Sequence, residues 1–131
     1  MTPVFGDTYY WIALTLPDDE AHSQAHEVVN DIVTTEEVLT EYLTFFSQSP
    51  QRLRRLADTN VDAILDTPSV RVIPASHESF IAGLELYRSR PDKGYSLTDC
   101  ISMQVMRRER LSEALTNDRH FEQEGFHAIF R

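Results

Sequence analysis

The sequence predicts an α/β protein: a three-layer α/β/α sandwich around a mostly parallel sheet. Two observations carry this. Short apolar segments of three to five residues alternate with longer segments of helical periodicity along the whole chain. Such alternation joins parallel strands through right-handed helical crossovers. The chain also has 131 residues, 41% hydrophobic and 25% charged, the size and balance of one domain able to bury its own core. No repeat, low-complexity tract or linker interrupts it, so residues 1–131 read as a single domain.

Thr2-Pro3-Val4-Phe5-Gly6 reads as the first strand, ended by glycine. Asp7 follows in the position of a helix N-cap, and Thr8-Tyr9-Tyr10-Trp11-Ile12-Ala13-Leu14 begins a helix or a turn-rich segment. Pro17-Asp18-Asp19-Glu20 is a polar loop. His22 to Asn30 has helical spacing, with Ala25, Val28 and Val29 on the apolar side. His22 and His26 lie four apart and read as a solvated helix face, since a closed metal site needs more ligands.

Asp31-Ile32-Val33-Thr34 is the second strand, and Thr35 caps the next helix. On that helix Val38, Glu41, Tyr42 and Phe45 share one face. Glu41 therefore borders the interior, whereas Glu36 and Glu37 fall on the wet side. Pro50 opens a helix to about Asp66 that carries Arg52, Arg54 and Arg55. This cluster suits a solvated face, or alternatively a phosphate-contacting patch.

Thr67-Pro68 breaks the helix, and Val70-Arg71-Val72-Ile73 is the third strand. Ser76 to Arg90 is a helix with Phe80, Ile81, Leu84, Leu86 and Tyr87 as its apolar set, and the loop to Gly94 follows. Ser96-Leu97-Thr98-Asp99 has the form of a capping box. It opens a helix to about Glu109 whose other inner positions are apolar. Arg107, Arg108 and Arg110 suit the negative end of that helix. Ser112-Glu113-Ala114-Leu115-Thr116 is the fourth strand, followed by Asn117 and Asp118. Arg119 to Glu124 is a short helix closed by Gly125, and His127-Ala128-Ile129-Phe130 is the last strand.

The formal net charge of −9 argues against simple electrostatic nucleic-acid binding. It suits a hard-cation site or a basic partner. No apolar run reaches the length of a membrane span and no signal peptide is visible, so a cytoplasmic protein without membrane contact is expected. The single cysteine, Cys100, reads as a small core residue in a reducing compartment. There is no phosphate-loop or dinucleotide fingerprint, and no Cys/His cluster for zinc.

Asp7, Asp99 and Asp118 each have an ordinary explanation as helix caps, and Glu41 can reach water from the edge of its face. Ligands of open parallel sheets, however, bind beyond the C-terminal ends of the strands. All four acids fall near that edge, where carboxylates stay ionised only with compensation. Mg2+ or Mn2+ is the fitting compensation, and the chemistry it serves is phosphoryl or phosphodiester transfer.

The chain resembles the PIN-domain ribonucleases, and specifically the VapC-like toxins of type II toxin–antitoxin pairs. The resemblance runs through Val4-Phe5-Gly6-Asp7-Thr8-Tyr9-Tyr10-Trp11-Ile12-Ala13 and Thr34-Thr35-Glu36-Glu37-Val38-Leu39-Thr40-Glu41. It is strongest at Tyr95-Ser96-Leu97-Thr98-Asp99-Cys100 and Ala114-Leu115-Thr116-Asn117-Asp118-Arg119-His120-Phe121. It implies a sheet of about five parallel strands in the order 3-2-1-4-5. It matches Asp7, Glu41, Asp99 and Asp118 to an acidic quartet that binds one or two Mg2+ or Mn2+ ions. Thr8 and Thr116 match hydroxyls lining that site, and Asn117 offers an amide to the metal or water shell. The activity implied is endonucleolytic RNA cleavage by a metal-activated water. The implied partners are an antitoxin that covers the site and a second copy in a homodimer, with Arg52, Arg54, Arg55 and Arg119 available to RNA.

Two alternatives stay open. One is a catalytically silent module of the same fold that acts only by binding protein. The other is a response-regulator-like domain, which needs a lysine near the acids. Lys93, the sole lysine, precedes Asp99 in a loop and does not fit that role.

Overall fold

The structure is a computed structural model that describes residues 2–131. Five strands form one sheet: β1 (Val4–Gly6), β2 (Ile32–Thr35), β3 (Val70–Ile73), β4 (Glu113–Leu115) and β5 (His127–Ala128). Their order is β3-β2-β1-β4-β5, and every neighbouring pair is parallel. Seven helices connect them: α1 (Thr8–Thr15), α2 (His22–His26), α3 (Glu36–Phe45), α4 (Gln51–Asp66), α5 (His77–Ser89), α6 (Leu97–Arg108) and α7 (Arg119–Gln123). The steps β1 to β2 and β2 to β3 move one way along the sheet, and the step from β3 returns to β4. Right-handed crossovers therefore put α1 to α4 on one face and α5 to α7 on the other, the expected sandwich.

β1 lies at the centre, and all three of its residues are buried. Gly6 has to be glycine because a Cβ there would stand 2.9 Å from Ile32 Cγ2 and 3.1 Å from the Trp11 ring. On the α1–α4 face, Tyr42 is fully buried, and its hydroxyl shares a 2.6 Å hydrogen bond with Thr15 Oγ1. Asn60 Nδ2 donates to both oxygens, tying α1, α3 and α4 together.

Several elements depart from sequence expectation. α2 stops at His26 instead of reaching Asn30, and Val29 is 74% exposed. The β-branched pair Val28-Val29 followed by Asn30 favours an extended approach to β2. On α3 the buried residues are Val38, Leu39 and Tyr42, with Phe46 turning inward at the C-cap, whereas Phe45 is exposed. On α5 the buried face is Ser79, Gly83 and Leu86, and Phe80, Ile81 and Tyr87 are largely exposed. Close approach of α6 explains this inversion: a Cβ on Gly83 would lie 2.4 Å from Ile101 Cγ1. β5 ends at Ala128. The next two amides both bond toward β4, Ile129 to Ala114 O and Phe130 to Thr116 O. Consecutive amides of a pleated strand point to opposite sides, so the ladder cannot continue.

Candidate metal centre

In the register of β1 and β4, Gly6 lies opposite Leu115. The next residues, Asp7 and Thr116, are thereby neighbours at the C-terminal edge although 109 positions apart. Thr116 Oγ1 donates to Asp7 Oδ2 at 2.8 Å, and both residues are buried. The same hydroxyl accepts the Asp118 amide at 3.2 Å. One threonine therefore fixes two of the predicted acids.

The cap explanations now separate. Asp7 occupies the N-cap position of α1, but its side chain makes no capping hydrogen bond. Its carboxylate is turned to Thr116 instead. Asp118 does cap α7, accepting the His120 amide on Oδ1 at 2.9 Å. Ser96 caps α6 by accepting the Asp99 amide at 3.0 Å. That bond uses the backbone of Asp99, so capping and a functional carboxylate coexist at this residue. Thr35 Oγ1 caps α3 by accepting the Val38 amide, which sets the helix that carries Glu41. Thr8 Oγ1 donates to Glu41 Oε1 across the α1–α3 contact. Asn117 is exposed, and its carbonyl accepts from Arg131 at 3.4 Å.

Asp99, Asp118 and His120 each bring a ligand atom to within 4.8 Å of the others. Asp7 and Glu41 stand outside that tight trio but act on it through charge. Burial pushes the Asp7 carboxyl up to about 7, with the Asp99 charge adding to the rise. Hydrogen bonds from Thr116 and the Thr8 backbone oppose it, and Glu41 raises it further. Burial likewise lifts Asp99 to about 6, reinforced by the charges of Asp118 and Glu41. Ser96 and His120 pull it part of the way back. Like charge has been gathered where water is scarce, and a cation is the economical neutraliser.

His120 is the residue that sequence reasoning passed over. Its ring packs against Tyr95 with centroids 5.1 Å apart. Its Nδ1 lies 3.4 Å from Asp118 Oδ1 and 4.0 Å from Asp99 Oδ2. This nitrogen is buried and has no hydrogen-bond partner. The chain alone marks it only as a histidine two residues after the cap of α7. Tyr95 is held in turn: its hydroxyl donates to Glu124 at 2.8 Å, and Glu124 also pairs with Arg90 and Arg107. Oxygen donors, one idle nitrogen and crowded negative charge form a set that suits a hard or borderline divalent cation.

The family model described as the PIN domain matches residues 4–126. Among solved structures, the chain is similar to Mycobacterium tuberculosis VapC20, described as a sarcin–ricin loop cleaving toxin. That match has a TM-score of 0.84 and 25% sequence identity, and covers 96% of this chain and 98% of that one. Comparison with curated proteins finds no sequence match.

Proposed function

The chain belongs to the PIN-domain family, and from that premise we propose that it is a metal-dependent endoribonuclease, the toxin of a type II toxin–antitoxin pair. The observation that carries this is the convergence of Asp99, Asp118 and His120, with Asp7 an acid kept from easy ionisation by burial and by the Asp99 charge. Structural similarity to VapC20 supports the toxin class.

Asp99 and Asp118 would hold a Mg2+ or Mn2+ ion, and Asp7 and Glu41 would complete its negative surroundings or hold a second ion. Such an ion, when bound, lowers the pKa of water and neutralises charge on a phosphodiester and its leaving oxygen. The chain's own groups prepare the site. Thr116 restrains Asp7 through Oδ2, and Thr8 restrains Glu41 through Oε1, so neither carboxylate must reorganise when substrate arrives. The buried edge between β1 and β4 keeps bulk water from screening these charges. Arg119, exposed next to Asp118, can meet the RNA backbone, and Asn117 offers an amide at the rim. Arg52, Arg54 and Arg55 stand exposed on α4 as further cations for RNA, with Arg54 donating to the Ser47 carbonyl.

The proposed toxin is a single domain acting in the cytoplasm, held by an antitoxin whose basic segments would suit the net charge of −9. A homodimer would cover apolar surface such as Phe80 and Tyr87 on α5, which stand exposed. Among the described residues no helix is long and apolar enough to cross a membrane.

An RNA oligonucleotide bearing a sarcin–ricin loop is the first substrate to try, because VapC20 is described as cleaving that element. Cleavage should require Mg2+ or Mn2+, stop with chelator, and vanish in Asp99→Asn while the melting transition persists. Undiminished cleavage by Asp99→Asn would refute the proposal. A silent binding module would instead give no heat on titration with Mn2+.

A further inference from the structure

His120 Nδ1 is in an unusual position for an ordinary surface histidine. It lies between two carboxylates and is hydrogen-bonded to neither. The nearer acceptor, Asp118 Oδ1, already receives the backbone amide of His120 itself at 2.9 Å. The farther, Asp99 Oδ2, is at 4.0 Å, beyond hydrogen-bond range. Tyr95 flanks the ring on one side and is itself anchored to Glu124. A buried nitrogen without a partner calls for an explanation, and an ion not present among the protein atoms is one of the standard ones.

We infer that His120, through Nδ1, is a nitrogen ligand of the cation held by Asp99 and Asp118, making this a mixed nitrogen–oxygen centre that favours Mn2+ over Mg2+. This rests on the metal-dependent function proposed above. Donors bound at about 2.1 Å to one ion sit roughly 3.0–3.5 Å from each other. The observed 3.4 and 4.0 Å separations are at or close to that range, so a small side-chain rotation is enough. Mg2+ prefers oxygen and sheds its waters reluctantly, whereas imidazole suits softer first-row ions better. The nitrogen therefore tilts selectivity as well as affinity. An alternative is that His120 only lines the site and leaves the ion to the carboxylates.

Pulsed electron paramagnetic resonance on the intact protein with Mn2+ separates these. The expected result is nitrogen modulation from a directly bound imidazole, changed in pattern when the protein is made with 15N-labelled histidine and lost in His120→Gln. By calorimetry, His120→Gln should weaken Mn2+ about tenfold and Mg2+ less than about threefold. Mn2+ binding without nitrogen modulation in the unsubstituted protein overturns the role of His120 and leaves the nuclease proposal standing. Failure of the unsubstituted protein to bind Mn2+ at all overturns both. Should His120→Gln not fold, His120→Ala supplies the same comparison, because the label alone marks all five histidines.

Discussion

Replacing Asp7 with asparagine should make the metal-free protein more stable while weakening its metal response. The folded state raises this carboxyl from 3.8 to about 7. Between those values the folded protein retains a proton that the unfolded chain has released. Stability from this group is thus fully present below pH 4 and is lost as pH rises through 7. The full shift corresponds to about 4 kcal/mol. Some of it is shared with Asp99, and the asparagine amide must find partners of its own, so a net gain of about 2 kcal/mol at pH 8 is expected. Asparagine can still accept the Thr116 hydroxyl through its amide oxygen, which keeps the strand-end geometry. For a chain of this length the gain corresponds to a rise in Tm of about 5–10 °C. Thermal melts of both proteins in chelator at pH 8 and pH 5 would measure it. The gain should shrink to about half or less at pH 5, where the folded carboxyl is already neutral. Saturating Mn2+ should raise the Tm of the unsubstituted protein and raise that of Asp7→Asn less, since Asp99, Asp118 and His120 remain to hold an ion. A variant no more stable than its parent at pH 8, or a gain of equal size at both pH values, would refute the electrostatic account of the site.

Thr116→Val should cost about 1–2 kcal/mol, because the buried Asp7 carboxylate and the Asp118 amide lose a shared partner; urea denaturation reads this directly, and Mn2+ affinity should fall with it. Gly83→Ala should destabilise by about 1–3 kcal/mol through the clash with Ile101, since neither α5 nor α6 can retreat without opening the core. Adding Ile101→Ala should recover part of that loss relative to the sum of the single changes, and strict additivity in the double-mutant cycle would contradict the contact.

Much of the fold was legible because it depends on periodicity and punctuation. Short continuous apolar segments, as suit strands buried on both faces, alternate with segments of period 3.6, and Thr35, Ser76 and Ser96 cap helices where their side chains can accept the orphan amides. Which face of a helix is buried was less legible. Phe80 and Tyr87 looked like core residues of α5, yet the buried face is built on Gly83, because α6 comes too close for anything larger. That choice depends on the partner helix and leaves no trace in local hydropathy.

The acids divide in the same way. Their residue types and order were enough to nominate Asp7, Glu41, Asp99 and Asp118, but local sequence gave Asp7, Asp99 and Asp118 the same account as helix caps. The tertiary structure decided between them: the β1–β4 register brings Asp7 to Thr116, Asp118 caps its own helix, and Ser96 caps α6 through the backbone amide of Asp99. The burial and like charge that raise Asp7 and Asp99 exist only once distant strands and helices have brought them together. His120 was invisible for the same reason. A histidine in the first turn of a short helix is unremarkable in the chain, and only the assembled tertiary structure leaves its Nδ1 buried between two carboxylates with nothing to bind.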